Sequence, residues 1–141
     1  MTGSSPLPPG PGRELDLLVR DYECDMQGIV NHAVYLHYLE HARHQFLQSI
    51  GLDFDTLTRA KIFLVVIRAE IDYKLPLRSR DRFRVLSGLV RVSPLRFAFR
   101  QEIRRRGDDR LNVSARIVCT AVNERGRPFL PGEIAALLDA G

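Results

Sequence analysis

The segment from Ala33 to Ile50 constrains the fold most, because its apolar residues recur at helical spacing over a long stretch. Leu36 and Leu47 widen the apolar stripe beyond one narrow face, and Gly51 follows where a helix C-cap is expected. A helix with so much apolar surface is expected to be surrounded by other structure. The recurring residues are Val34, Tyr35, Tyr38, Leu39, Ala42, Phe46 and Ile50.

Strand patterns occupy most of the remaining chain. Leu15, Leu17 and Val19 alternate with other residues and predict a short strand before the helix. After a short helical or turn segment at 53–60, four segments rich in β-branched and apolar residues predict further strands. A turn at 123–128 then precedes a small C-terminal helix from about residue 131. The four predicted strands are Ile62–Leu75, Asp81–Ser93, Leu95–Arg105 and Leu111–Asn123.

This order of elements predicts an α+β domain over residues 13–141. Four consecutive strands joined by tight turns predict an antiparallel meander, which must bury one of its faces. The long helix is the only large apolar element that could cover that face. We therefore expect an antiparallel five-stranded sheet wrapped around a long central helix. An exposed sheet edge would pair with a second copy, so we also expect a homo-oligomer, either a dimer or a dimer of dimers (a homotetramer).

Composition restricts the class of protein further. A chain of 141 residues with 45% hydrophobic content fits one globular domain. Residues 1–12 contain four prolines and predict a disordered tail. No apolar run is long enough to span a membrane and no secretory signal is evident, so we expect a cytoplasmic protein. Cys24 and Cys119 fit neither a disulfide framework nor a metal site, and we expect no cofactor.

The stretch from Tyr22 to Tyr35 combines a carboxylate, a glycine turn and a helix start. The first turn of a helix leaves backbone N–H groups without partners inside the helix, and these groups can polarise a carbonyl oxygen. Asp25 beside such donors could therefore act on a carbonyl group. The same aspartate also fits a structural role, as an Asx-turn or helix-capping carboxylate.

Three motifs in sequence order carry a family resemblance. The first runs from Val19 to Tyr35 and includes Asp25-x-x-Gly28-x-Val30-Asn31; the second is Leu75–Phe83; the third is Gly126–Pro128. Together they resemble the hotdog-fold thioesterases of the 4-hydroxybenzoyl-CoA thioesterase type. The first motif is particularly similar to plant acyl-lipid thioesterases and their bacterial relatives. The resemblance covers roughly Glu14 to Pro131.

The resemblance implies a hotdog fold and hydrolysis of an acyl-CoA or acyl-carrier-protein thioester to a free carboxylic acid. It implies that Asp25 is the catalytic carboxylate, as nucleophile or as general base. The thioester oxygen would lie against N–H groups around Asn31 and His32. Tyr35 is a candidate to position the substrate, and its place in the helical stripe also fits a core aromatic. In the related plastid enzymes a catalytic histidine precedes Val-Asn; here Ile29 stands in that part of the motif, which leaves Asp25 as the main candidate.

The net charge of +4 comes almost wholly from arginine. Arginine binds phosphate through a two-pronged fork, so the composition favours an anionic partner. The arginines at 78, 80, 82 and 84 are spaced by two, and those within a strand share one face. Arg78, Arg80 and Arg82 are candidates to bind the phosphates of CoA or the acidic helix of a carrier protein. A solvated outer face of the sheet explains the same row equally well.

Alternative functions use the same residues. Hydration or dehydration of an enoyl thioester would need Asp25 and His32 to act together. A non-catalytic acyl-thioester sensor or a nucleic-acid binder would explain the arginine excess, although no added DNA-binding segment is visible and we expect no nucleic-acid partner. His37-x-x-Glu40-His41 spells an inverted zinc-protease motif, but no third ligand is apparent, so no metal is expected.

Overall fold

The apolar segment forms the long helix α1, His32–Ser49, in the computed structural model, which describes residues 13–139. Asn31 caps its N-terminus, and Gly51 follows its C-terminus with a φ of 81°, a conformation that glycine adopts without strain. The N–H of Leu52 donates to the carbonyl oxygen of Leu47 at 2.8 Å and closes the helix end. The predicted tail at 1–12 lies outside the described residues.

The other predicted elements lie within one or two residues of their predicted positions, and a 3-10 turn and a sixth strand are present in addition. A single 3-10 turn at Asp21–Glu23 precedes α1. The remaining elements are β1 (Glu14–Leu18), α2 (Phe54–Arg59), β2 (Phe63–Tyr73), β3 (Arg82–Ser93), β4 (Arg96–Arg105), β5 (Leu111–Val122), β6 (Pro128–Phe129) and α3 (Gly132–Asp139).

All strands belong to one antiparallel sheet with the order β1-β3-β4-β5-β2. The predicted α+β class and the hotdog fold, a curved sheet around a long helix, are confirmed. The sheet has six strands rather than five, because β6 pairs with the last two residues of β5. β6 has only two residues, and the first of them, Pro128, belongs to the predicted turn at 123–128.

The predicted meander of four consecutive strands is wrong at its first step. β2 pairs with β5 at the far edge of the sheet, so only β3, β4 and β5 follow one another as a meander. Residues 74–81 are not a tight turn. They pass the start of α1, where the N–H of Val30 donates to the carbonyl oxygen of Leu77 at 2.9 Å. The connection therefore carries the chain from one edge of the sheet to β3, beside β1.

The core lies between α1 and one face of the sheet. Near the start of α1, Tyr38 and Leu39 pack with Phe83, Val85 and Ile103. A second cluster lies towards the end of α1, where it also includes residues of α2 and α3; its buried members are Phe46, Leu47, Leu52, Leu57, Phe97, Phe99, Ile117, Cys119 and Ile134.

The outer edge of β2 pairs with no other strand among residues 13–139. Several of its apolar side chains are exposed, and exposed apolar surface at a sheet edge favours association with another chain. The register with β5 shifts between Val66 and Arg68, so the strand carries a bulge near Ile67. The exposed apolar residues of this edge are Phe63, Val65, Val66, Ile67 and Tyr73.

Candidate active site

Asp25 lies in a small hairpin immediately before α1. Cys24 and Val30 form an antiparallel bridge, and the N–H of Asp25 donates to the carbonyl oxygen of Ile29 at 2.9 Å. Gly28 closes the turn with a φ of 79°, which L-residues rarely adopt. The hairpin is joined to residues 74–81 by the bridge between Ile29 and Arg78. The position of Asp25 is thus set by backbone pairing on both sides.

The carboxylate of Asp25 is exposed and makes one local hydrogen bond. Its Oδ1 accepts from the N–H of Gln27 at 2.8 Å, which is the Asx-turn geometry expected of a structural aspartate. Within the described residues, its Oδ2 has no hydrogen-bond donor. One carboxylate oxygen therefore fixes the side chain while the other accepts no hydrogen bond within this part of the chain, so the structural role does not preclude a chemical one.

The start of α1 leaves one backbone donor available. The N–H of Ala33 donates to Asn31 Oδ1 at 2.9 Å, and that of Val34 donates to the carbonyl oxygen of Asn31 at 2.9 Å. The N–H of Asn31 is also engaged, by the carbonyl oxygen of Glu23 at 3.0 Å. No acceptor in the described part of the chain engages the N–H of His32. Of the two amides predicted to face the thioester, only that of His32 is free, and the side chain of Asn31 acts as the helix cap.

A buried carboxylate, Glu23, ties this loop to α1. The hydroxyl of Tyr38 donates to Glu23 Oε1 at 2.7 Å, and the N–H of Arg20 donates to the same oxygen at 2.8 Å. The Arg20 guanidinium lies 3.2 Å from Oε2. Glu23 is only 8% exposed, yet its charge is well compensated. Sequence reasoning missed this residue, although its position two residues before Asp25 was a usable signal.

A cavity of about 280 Å³ brings the predicted site residues together. Asp25, His32 and Tyr35 all line it, and so do Tyr73 and Lys74. Sequence reasoning missed the last two. The alternation along β2 predicts that the side chain of Tyr73 faces the helix. The sequence does not indicate that the end of β2 meets the start of α1.

Tyr35 is buried beside this cavity. Its hydroxyl oxygen accepts a hydrogen bond from the N–H of Leu77 at 2.9 Å. Burial raises the pKa of Tyr35, so the phenol keeps its proton at neutral pH. The ring centroid of Tyr73 lies 5.6 Å from that of Tyr35, and the Tyr73 hydroxyl lies 3.4 Å from the carbonyl oxygen of His32. Tyr35 can therefore donate its own proton to an acceptor in the cavity.

The predicted arginine row divides into two parts. Arg78, Arg80 and Arg82 are exposed, and no carboxylate within residues 13–139 forms an ion pair with them. Arg84 differs, because it lies 2.7 Å from Asp109 and 3.4 Å from Glu14. Arg78 is the member nearest the site along the backbone, through its bridge to Ile29. Three of the four cations thus remain available to an anionic ligand.

Neither a metal site nor a membrane span is found in the described residues. No group of three His, Cys, Asp or Glu side chains in this part of the chain is arranged to hold a metal ion. His37 and His41 are exposed on α1. Among the same residues, no helix combines the length and hydropathy needed to cross a bilayer.

A carboxylate and a free helix-start amide at one cavity are groups that acyl-transfer chemistry can use. The chain belongs to the thioesterase-like superfamily, whose family model matches residues 19–138. The predicted membership of a family of thioester hydrolases is therefore confirmed.

Individual relatives agree with this assignment. The chain is 35% identical over 122 residues to an acyl-acyl carrier protein thioesterase from Arabidopsis thaliana chloroplasts, an alignment that covers 86% of this chain and 64% of that protein. The chain spans about half to two thirds of the length of the curated plant relatives it matches.

Solved structures share the fold. A hypothetical protein from Aquifex aeolicus superposes with a TM-score of 0.81 at 30% identity, covering 89% of this chain and 98% of that one. A 1,4-dihydroxy-2-naphthoyl-CoA thioesterase from Synechocystis gives a TM-score of 0.81 at 22% identity, covering 89% and 94% of the two chains. At this lower identity the likeness concerns the fold alone.

Proposed function

We propose that the chain is a thioesterase that hydrolyses an acyl thioester of CoA or acyl carrier protein to a free carboxylic acid. The observation that carries this proposal is the shared cavity, which joins the Asp25 carboxylate, the free N–H of His32 and the Tyr35 hydroxyl. A nucleophile or base and two donors are the groups that acyl transfer requires. The superfamily and the acyl-carrier-protein thioesterase among the relatives support the same reaction.

The two donors have distinct origins. The N–H of His32 and the O–H of Tyr35 would both point at the thioester oxygen as it gains negative charge. A preset donor of this kind lowers the barrier by on the order of 3 kcal/mol. Asn31 contributes by capping α1, which keeps the His32 amide in place.

Asp25 would act by one of two routes. As a nucleophile, its carboxylate oxygen attacks the thioester carbon, the C–S bond breaks, and water then hydrolyses the resulting anhydride. As a general base, it removes a proton from water, whose oxygen attacks the same carbon. Both routes release the thiol and the free acid.

Replacement of Asp25 by asparagine tests the assignment. Asp25→Asn should abolish hydrolysis and leave binding of the acyl-CoA nearly unchanged, whereas retained turnover would remove Asp25 from the mechanism. Single-turnover hydrolysis in heavy-oxygen water then tests for the nucleophilic route. Label in the Asp25 carboxylate requires the anhydride, whereas label confined to the product acid is expected both from the general-base route and from attack of water on the acyl carbon of an anhydride.

Arg78, Arg80 and Arg82 are proposed to bind the phosphates of CoA or an acidic face of the carrier protein. Their exposure and lack of ion pairs support this role. Replacing all three with glutamine should raise KM for acyl-CoA far more than KM for a short synthetic thioester that lacks phosphate. Arg116→Gln, a change of another exposed arginine, is the matched control. An equal increase in KM for both substrates would contradict phosphate binding by these arginines.

The exposed edge of β2 supports the proposal that the chain is a homo-oligomer, at least a dimer. The free edge of this eleven-residue strand, with its unpaired backbone groups and five exposed apolar side chains, is a template for pairing with a second copy. Sedimentation equilibrium distinguishes a monomer, a dimer and a dimer of dimers. A cytoplasmic location stays a prediction that cell fractionation can test.

One observation favours the second candidate reaction, hydration of an enoyl thioester, because His32 and Asp25 line the same cavity. Loss of the enoyl absorbance without release of free thiol would identify a hydratase, and release of free thiol would identify the thioesterase.

A further inference from the structure

Hydrolysis of a thioester develops negative charge on two atoms of the substrate. The carbonyl oxygen gains charge while the nucleophile adds, and the sulfur gains charge when the C–S bond breaks. The two donors proposed above, the N–H of His32 and the hydroxyl of Tyr35, both act on the oxygen. Stabilisation of the leaving sulfur therefore requires a further group at the same cavity.

Lys74 is the only lysine or arginine among the described residues that line the Asp25 cavity. Its side chain is exposed, and its ammonium group has no hydrogen-bond or ion-pair partner within residues 13–139. A lysine ammonium carries three N–H donors and a positive charge. All three donors of Lys74 are therefore open to a ligand in the cavity.

The backbone of Lys74 is held by β5. β2 ends at Tyr73, and the N–H of Lys74 donates to the carbonyl oxygen of Asn112 at 2.8 Å. Asn112 is completely buried, and its side chain donates to the carbonyl oxygen of Leu75 at 3.2 Å. The end of the sheet therefore fixes the base of the Lys74 side chain at the cavity, and the flexible stem places the ammonium group.

Lys74 does not neutralise Asp25. In the described part of the chain no ion pair joins their side chains, although both line the same cavity. A cation paired tightly with the carboxylate would reduce its strength as a nucleophile or base. Because that pair is not formed, both charges are available to the substrate.

The other proton-bearing groups of the cavity suit the sulfur less well. The Tyr73 hydroxyl lies 3.4 Å from the carbonyl oxygen of His32, and the Tyr73 and His32 rings meet edge to face. Tyr35 is neutral, because burial raises its pKa. A thiolate is an anion, and hydrogen bonds between charged groups are roughly twice as strong as those between neutral groups. The ammonium of Lys74 is therefore the donor that matches a leaving thiolate.

We propose that Lys74 is a further catalytic residue, whose ammonium stabilises the thioester sulfur as the C–S bond breaks. The sulfur keeps the electron pair and leaves as a thiolate, to which an N–H of Lys74 donates. The thiolate of an alkyl thiol, whose pKa is about 8.5, then takes up the proton released by the water that hydrolyses the acyl group. This inference rests on the proposed thioesterase function and deepens it. It applies to both routes for Asp25, because the C–S bond breaks in each.

Thioesters that share an acyl group but differ in the leaving thiol test this role. The butanoyl thioester of N-acetylcysteamine releases an alkyl thiol, whereas that of para-nitrothiophenol releases a far more acidic thiol, whose thiolate needs little stabilisation. Neither carries a phosphate, so phosphate binding does not affect the comparison. Lys74→Met should lower kcat/KM for the first by on the order of tenfold or more, and for the second by less than about twofold.

Lys61→Met is the matched control, because Lys61 is the only other lysine of the chain. It is exposed, lies 3.2 Å from Glu124 and does not line the Asp25 cavity, so both kcat/KM values should stay unchanged. Lys74→Gln repeats the test with a second neutral side chain. An equal decrease for both thioesters in the two Lys74 variants, or no decrease for either, would overturn the proposal.

The second measurement compares leaving groups within one variant. Across a series of thiophenyl butanoates of graded acidity, the logarithm of kcat/KM should decrease more steeply with the pKa of the thiol in Lys74→Met than in the parent. Partial unfolding lowers all of these rates in proportion and does not change the slope. Equal slopes would overturn the proposal.

The outcomes separate this inference from the proposed function. No hydrolysis of any thioester by the parent chain would overturn both. Hydrolysis by the parent, with the same dependence on the leaving thiol in Lys74→Met, would leave the thioesterase in place and remove Lys74 from the departure of the sulfur.

Discussion

Replacing Tyr38 with phenylalanine is expected to loosen the loop that carries Asp25 without emptying the core. The Tyr38 hydroxyl donates to Glu23 Oε1 at 2.7 Å, and this bond is buried. The ring itself packs against Phe83, with centroids 4.7 Å apart, and against Tyr35 at 6.0 Å. Phenylalanine preserves both ring contacts, so the substitution removes a hydrogen bond and little else.

The size of the expected destabilisation follows from the chemistry of the acceptor, Glu23. Glu23 is a buried carboxylate that keeps two donors from Arg20 after the substitution. A hydrogen bond to a charged group contributes about 1.5–3 kcal/mol, and an incompletely satisfied buried carboxylate adds a desolvation cost. We expect Tyr38→Phe to lower the free energy of unfolding by about 2 kcal/mol.

The effect on catalysis should appear mainly in kcat. Glu23 lies two residues before Asp25, and its carbonyl oxygen accepts from the N–H of Asn31, the helix cap. Loss of the Tyr38 bond therefore disturbs the orientation of Asp25 relative to the His32 amide, while the arginines outside the cavity are unaffected. We expect a severalfold decrease in kcat with little change in KM.

Urea unfolding at pH 7 and steady-state hydrolysis of one acyl-CoA measure the two effects. The protein concentration must be equal for all variants, because dimerisation would contribute to stability. Tyr22→Phe is the control, since Tyr22 is 76% exposed and has no hydrogen bond to its hydroxyl among the described residues. A destabilisation below about 0.5 kcal/mol in Tyr38→Phe, the range of neutral surface changes, would refute the reasoning.

Three further predictions concern the same region. Asn31→Ala should destabilise the chain by about 1 kcal/mol in urea unfolding, because it removes the cap on the N–H of Ala33; Asn31→Asp should restore most of this loss, and equal losses would exclude a capping role. Gly28→Ala should lower the free energy of unfolding by about 1–2 kcal/mol and should also lower kcat, because φ is 79° at this position. No atom lies close enough to crowd the added methyl group, so backbone strain is the only cause. An unchanged melting temperature would contradict this. Burial raises the pKa of both Tyr35 and Tyr38, so the unfolded chain loses these protons first as pH rises above about 10. Their contribution to stability should be complete below that pH and decrease above it, and the decrease should be smaller in Tyr38→Phe.

Local sequence patterns were sufficient to predict the helices and strands but not which strands pair in the sheet. The apolar stripe gave α1 to within one residue at each end, and alternation gave β2 to β5 with similar accuracy. The pairing of β2 was not predictable, because it depends on the path of residues 74–81. Pro76 ends a strand in either topology. Contacts made far from it in sequence, such as that between Leu77 and Val30, decide where the chain goes next.

The candidate site could likewise be predicted only in part, and its hydrogen bonds explain why. The side chains of Asp25 and Asn31 form hydrogen bonds, and Gly28 adopts a positive φ. These roles require particular residue types, so the three residues form a recognisable motif. The other half of the cavity is attached through backbone groups, such as the N–H of Leu77 on the Tyr35 hydroxyl. Almost every residue type has the same backbone groups, so contacts made through them produce no sequence motif. The backbone bonds of the motif therefore bring the connection at 74–81 into the candidate site, and with it Lys74, while Tyr73 joins the site through its own hydroxyl.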